Sequence, residues 1–196
     1  YENFDYRWRE PACLPDWIYL SMISGDSWEL HDGLVDYLQK NKQIKLAFQP
    51  GAAHISWGSE KLSEIYGLSE IVIMNVDEAM SVTGMDTRAI EPLLKDLYEL
   101  GPSTVVITDG PSGAYAYNGE EIYEVPKYPD LATPVDRTGA GDAFAATLVA
   151  EIAKGSSLKD ALARAPINSM SVVQKLGAQA GLLRAEEIDV FLQKAP

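Results

Sequence analysis

The chain has 196 residues, 46% of them hydrophobic and 23% charged, with a formal net charge of −13. That length supports one domain with a substantial core, and the acidic balance argues against nucleic acid or an anionic membrane surface as a partner. The single cysteine, Cys13, excludes an intramolecular disulfide and suits a reducing cytoplasm, while no run is apolar enough to span a membrane and no signal peptide is evident. In chain order, Phe4, Tyr6 and Trp8 alternate with Asp5 and Arg7, which predicts a strand with one aromatic face, closed by Pro11 and Pro15. Trp17 to Ser21 reads as a buried strand. Trp28 to Asn41 reads as an amphipathic helix with Leu30, Leu34, Val35 and Leu38 on one side. Lys45 to Phe48 is a short strand ended by Gln49-Pro50-Gly51, and Ser59 to Tyr66 is a helix capped by Ser59. His31 and His54 stand at no metal-ligand spacing and are read as structural or surface residues.

Ile71 to Met74 is a strand closed by Asn75, followed by a short helix to Thr83-Gly84 and another over Glu91 to Leu100. Thr104 to Thr108 is rich in β-branched residues and reads as a strand. Gly113 to Tyr117 and Glu121 to Val125, joined across Asn118-Gly119, give a hairpin signal. A loop punctuated by Pro126, Pro129 and Pro134 leads to helices over Gly141 to Lys154, Leu158 to Leu176 and Ala185 to Gln193. Strands alternating with helices predict a mostly parallel α/β sheet covered on both faces, with the hairpin antiparallel at an edge. In such sheets ligands bind outside the C-terminal ends of the strands, where Asn75 and Thr108 both lie.

The chemistry concentrates in Asp136-Arg137-Thr138-Gly139-Ala140-Gly141-Asp142. Glycines and an alanine leave backbone N–H groups bare at a helix N-terminus, whose macrodipole adds positive potential, so the backbone of Gly139, Ala140, Gly141 and Asp142 can hold an anion. Asp142 then places a carboxylate in the first helical turn. Phosphoryl transfer needs this pairing of anion donors with a base for the attacking hydroxyl. Taken alone, the string is also an ordinary helix start. Asn75 and Glu78 form an Asn-x-x-Glu pair at a strand-to-helix transition; Glu78 could hold Mg²⁺ through water with Asn75 on phosphate, or merely complement the helix dipole. Thr108, Gly110 and Gly113 follow a strand and could line a ligand or simply turn the chain into the hairpin.

These segments, with Met74-Asn75-Val76-Asp77-Glu78, Val105 to Gly113 and Lys175-Leu176-Gly177-Ala178 in order, resemble the ribokinase-like (PfkB) family of carbohydrate and nucleoside kinases from about Trp17 to the end. The resemblance implies a three-layer αβα, ribokinase-like (Rossmann-like) fold. It implies Asp142 as catalytic base, the backbone from Gly139 to Asp142 as anion hole, and Asn75 and Glu78 at Mg–ATP. Thr108, Gly110 and Gly113 would lie at the ATP phosphates and ribose, and Asn168 at the adenine edge or, equally, as a helix-packing amide. Asp136, Thr138 and the loop at Gly177 resemble a monovalent-cation site, K⁺ being the candidate. Arg137 departs from the family, where many members carry Thr or Pro; it neighbours the anion loop without belonging to its donors, so it bears on specificity.

The expected function is an ATP- and Mg²⁺-dependent cytoplasmic kinase acting on a hydroxyl of a small sugar, or alternatively of a nucleoside. A vitamin-precursor acceptor fits less well. A non-catalytic kinase-like protein is disfavoured by intact Asp142 and Glu78, and a dinucleotide oxidoreductase by the lack of Gly-x-Gly-x-x-Gly after a first strand. The family carries an N-terminal portion with most sugar contacts and part of a β-lid, so this chain is expected to be a C-terminal part, able to fold and bind Mg–ATP but inefficient toward sugars. Residues 1–10 are expected to be a lid-strand remnant, either disordered or paired with a second copy in a homodimer, beside one nucleotide-binding and catalytic domain over 11–196.

Overall fold

The computed structural model of the chain describes residues 6–21, 24 and 27–194. Six strands, β1 (Trp17–Leu20), β2 (Lys45–Phe48), β3 (Ser69–Asn75), β4 (Val105–Thr108), β5 (Ala114–Tyr117) and β6 (Ile122–Val125), are hydrogen-bonded in that order. β1 pairs parallel with β2, Trp17 opposite Lys45 and Leu20 opposite Phe48, and β2 pairs parallel with β3. β5 and β6 are joined by residues 118–121, too short for a parallel crossover, so they close as an antiparallel hairpin. The result is a mixed sheet with flanking helices.

The chain forms two compact units, Tyr1–Ile107 with Ala116–Ile122, and Thr108–Tyr115 with Tyr123–Pro196. In the first unit, α1 (Trp28–Lys40), α2 (Ala52–Trp57), α3 (Ser63–Leu68), α4 (Val76–Thr83) and α5 (Ile90–Tyr98) accompany the strands. Leu46, Ala47, Phe48, Val72, Leu93, Leu94, Val105, Val106 and Ile107 are completely buried. Each large apolar side chain so removed from water contributes about 1.5–3 kcal/mol. Val105, Val106 and Ile107 make β4 apolar up to its last residue, Thr108, because a central strand has both faces covered. In β1 only Leu20 is buried, Trp17 and Ile18 being half-buried and Tyr19 exposed, short of the fully buried strand expected there.

Two further expectations are corrected in this unit. The helix expected from Ser59 to Tyr66 begins at Ser63, and a separate helix, α2, occupies Ala52–Trp57. Gly58 carries φ 86° after α2 and stops it, and Tyr66 N–H bonds the Leu62 carbonyl as α3 starts. The expected aromatic strand does not form over residues 6–10; Phe4 lies outside the described residues. Trp8 instead lies against α1, its ring 5.2 Å from that of Tyr37. Gly33 makes room for it, since a Cβ there would run into the Trp8 side chain.

His31 and His54 are both buried, which settles them as structural rather than surface residues. His31 Nδ1 lies 2.7 Å from the Ser27 carbonyl, so it must carry the proton and donate. His31 Nε2 then accepts from His54 Nε2 at 2.8 Å, and His54 Nδ1 accepts from the Gly51 N–H at 3.1 Å. All four ring nitrogens are satisfied with both rings neutral. Trp57 and Phe48 close around them edge-on. Burial lowers both pKa values, His54 to about 4 with the His31 ring adding to the fall. At His31 the Ser27 carbonyl and Asp32 oppose the larger effect of burial.

The second unit contains α6 (Ala140–Ala153), α7 (Leu158–Val172) and α8 (Ala185–Leu192). Small residues on α6 and α7, Ala143, Ala145, Ala161 and Ala165, are buried and allow close packing. α7 stops at Val172, four residues before the expected Leu176, and the chain turns through the segment that carries Gly177. Buried Glu151 of α6 bonds Lys154 Nζ at 2.7 Å and lies 3.5 Å from Arg164 of α7, which in turn reaches Asp189 of α8 at 2.5 Å.

Candidate functional site

The start of α6 is built by its sequence. Gly139 caps the helix with φ 81°, a left-handed conformation that favours glycine. A Cβ on Gly139 would also lie 2.6 Å from the Ala178 Cβ, so the loop after α7 is packed against the cap. Ala140 N–H is turned onto the Arg137 carbonyl at 3.3 Å, and the first regular helical bond runs from Ala143 to Gly139 at 2.8 Å. As the N-cap, Gly139 offers the helix no capping side chain. The N–H of Gly141 has no intrahelical partner at this position, and a Cβ on Gly141 would meet nothing within 4 Å. Ala140 is thus a poorer anion donor than expected, while Gly141 faces open space. Asp142 follows in the first turn and is exposed.

Gly141 and Ala140 form part of the wall of a cleft within the second unit. Thr108, Gly110 and Gly113 line it too, so segments distant in sequence converge there. Thr108 ends β4, and Gly110–Ser112 forms a single 3-10 turn in which Ser112 N–H donates to the Asp109 carbonyl at 2.9 Å, while Asp109 N–H donates to the Gly113 carbonyl at 2.8 Å. The cleft has a volume of about 190 Å³, smaller than the roughly 300–1,000 Å³ usual for small-molecule sites. Gly141 in the cleft wall, beside helix donors, suits a phosphate-bearing ligand.

Neither Gly139, Asp142 nor Asn168 is among the cleft's lining residues. Asn168 is buried, its amide donating to Thr147 Oγ1 at 2.8 Å and accepting from Leu183 N–H at 2.9 Å. That is the helix-packing role. The α7 face that does line the cleft is Pro166, Ser169, Met170 and Val173. Their i, i+3, i+4, i+7 spacing marked one helical face in the sequence, but an apolar face of that kind reads first as core. Lys127, Tyr128, Asp130 and Phe144 are further lining residues with no advance signal.

Asp136 gathers the loop before α6 and the loop after α7. Its carboxylate accepts N–H bonds from Thr138 and from Gly177, each 2.9 Å. Those bonds, with the Thr138 side chain, hold its pKa below the usual carboxylate value. Val135 and Asp136 N–H both donate to the Val173 carbonyl, at 2.8 and 3.3 Å. Asp136, Thr138 and Gly177 are therefore brought together.

Asn75 and Glu78 belong to the first unit. Asn75 ends β3 and caps α4; its side chain accepts the Glu78 N–H at 2.9 Å, and Glu78 Oε2 accepts the Asn75 N–H at 2.8 Å. This reciprocal capping box is the helix-start role. A carboxylate retains acceptor capacity beyond one such bond; with Asn75 exposed and Glu78 half-buried, the pair fits a cation that keeps most of its waters. Among the described residues no group of three or more His, Cys, Asp or Glu side chains is placed to hold a metal ion. No described helix is long and apolar enough to cross a membrane.

Three comparisons place this arrangement among known proteins. The chain is 31% identical over 128 residues to an ATP-dependent 6-phosphofructokinase of Thermoanaerobacterium thermosaccharolyticum, covering 63% of this chain and 38% of that protein. It is 33% identical over 141 residues to a cytidine kinase of Thermococcus kodakarensis, covering 70% and 49%. The fold is that of a candidate ribokinase II of Escherichia coli solved with ATP and Mg²⁺, with a TM-score of 0.77 at 24% identity over 91% of this chain and 59% of that one. The chain spans about half the length, or less, of the curated relatives it matches. A family model described as pfkB family carbohydrate kinase matches residues 16–185, and the chain belongs to that family.

Proposed function

We propose that this chain forms the nucleotide-binding and catalytic part of an ATP-dependent kinase whose acceptor is a hydroxyl of a small sugar. The observation that supports it most is the opening of the glycine-capped α6 N-terminus, through Gly141, into a cleft also lined by Thr108 and Gly110, with Asp142 in the same helical turn. The acceptor oxygen attacks the γ-phosphorus of ATP while its proton passes to the Asp142 carboxylate. The bond from the γ-phosphorus to the bridging oxygen breaks, and ADP leaves. Charge developing on the transferred group is met by N–H groups at the start of α6 and by the helix dipole. Thr108, Gly110 and Gly113 would position the remaining phosphates and ribose. Mg²⁺, when bound, neutralises phosphate charge; Glu78, through water, and Asn75 are the residues assigned to it. A monovalent cation is assigned to carbonyl oxygens of the loops that Asp136 ties at Thr138 and Gly177.

A nucleoside acceptor is the second reading, favoured by the 33% identity to a cytidine kinase. Turnover of ATP against a panel of sugars and nucleosides, with the full-length protein, separates the two. Asp142→Asn should lower kcat about 10²–10⁴-fold, the usual worth of a general base, with ATP affinity nearly unchanged. Turnover within a few-fold of wild type would remove Asp142 from the mechanism.

A further inference from the structure

Three charged side chains line the cleft: Lys127, Asp130 and Arg137. Lys127 Nζ bonds Asp130 Oδ2 at 2.5 Å, so this pair contributes little net charge. Arg137 makes no ion pair among the described residues. Its backbone is fixed, because its carbonyl accepts the Ala140 N–H at 3.3 Å and thereby begins α6. Arg137 therefore brings to the cleft wall a positive charge with no ion pair among the described residues, just before the helix N-terminus, with Asp136 beside it in the chain and Asp142 in the first helical turn. The whole chain bears −13, and such a surface repels anions unless a local cation offsets it.

We propose that Arg137 is a phosphate-binding residue that grips the phosphate chain of the bound nucleotide. This rests on the nucleotide-kinase reading above and adds a side-chain contact to it. A guanidinium presents a planar fork of donors that matches two phosphate oxygens, and it stays charged at every working pH. A small side chain at position 137 could do neither. An arginine merely solvated at the rim would leave nucleotide binding unchanged, so the two roles are separable.

The test compares the full-length protein with Arg137→Ala and Arg137→Lys by calorimetric titration of ATP, ADP and adenosine with Mg²⁺ present, at low and high salt. Removing a charge-assisted grip should weaken ADP and ATP about 10- to 100-fold. Adenosine affinity should stay within about twofold, because adenosine lacks the phosphates. Arg137→Lys should fall between, keeping the charge without the fork. ADP binding should also lose part of its salt dependence in Arg137→Ala. Equal ADP affinities in wild type and Arg137→Ala would overturn the proposal, as would equal losses for adenosine and ADP. A loss confined to the KM of the acceptor would overturn it by assigning the grip to the acceptor. A wild-type protein that binds neither adenosine nor ADP overturns the nucleotide reading and this one together, whereas the preceding outcomes overturn this one alone.

Discussion

Acidification should destabilise this chain through His31 and His54 before carboxylates matter. The native pair is neutral, since a second proton on His54 would face the Gly51 N–H and one on His31 Nε2 would face the His54 N–H. The unfolded chain takes up those protons near the ordinary histidine value of 6.5, while native His54 does so at about 4. The stability this represents is complete above pH 6.5 and is lost as pH falls from there toward 4, where the loss levels off. For His54 alone the loss is about 1.4 kcal/mol at pH 5.5, about 2 at pH 5 and about 3 near pH 4. His31, lowered by the same burial, adds in the same direction. That is a large part of a domain's total of about 5–15 kcal/mol. Urea unfolding followed by circular dichroism at constant ionic strength, from pH 7.5 to 5, measures it, and a double variant, His31→Leu with His54→Leu, supplies the control with no titrating pair. A wild-type loss under about 0.5 kcal/mol between pH 7.5 and 5.5, or an equal loss in the double variant, would refute the reasoning.

Gly139→Ala should lower stability by at least about 1 kcal/mol through its left-handed backbone, whereas Gly141→Ala should leave melting unchanged or raised while weakening ADP binding, because Gly141 lines the cleft; melting curves and titration read both. Glu78→Gln keeps an acceptor for the Asn75 N–H, so the fold should persist while the Mg²⁺ concentration for half-maximal activity rises; an unchanged Mg²⁺ titration would count against the assignment. Asn168→Ala should cost about 1–3 kcal/mol in denaturant unfolding, by stranding buried partners, with ADP affinity intact. Gly33→Ala should displace Trp8 from Tyr37 and shift tryptophan fluorescence; an unaltered spectrum would show that Trp8 does not depend on that contact.

Much of the α/β pattern was legible because its signals are local. β4 is a run of β-branched residues, the β5–β6 turn is Asn118-Gly119, and α4 lies between Asn75 and Gly84, which has φ 69°. Where local signals compete, the reading slipped. Alternation at Phe4, Tyr6 and Trp8 predicted a strand, yet Trp8 gains more by packing its ring on α1 than a lone strand gains without a partner. Ser59 looked like a helix cap, but the chain turns at Gly58 and begins α3 later.

The site divides the same way. The order of residues around Asp142 determined a glycine-capped helix start with a carboxylate in its first turn, because dipole, donors and glycine freedom all depend on neighbours a few residues apart. Only the tertiary structure decided that Gly141 opens to a cleft, that Ala140 spends its N–H on Arg137, that Asn168 packs helices, and that Arg137 stands in the cleft wall without an ion pair among the described residues. It also decided that His31 and His54, 23 residues apart, share one proton contact. Those outcomes depend on which distant segments meet, and a sequence read in short windows carries the propensities of each segment but not the meeting.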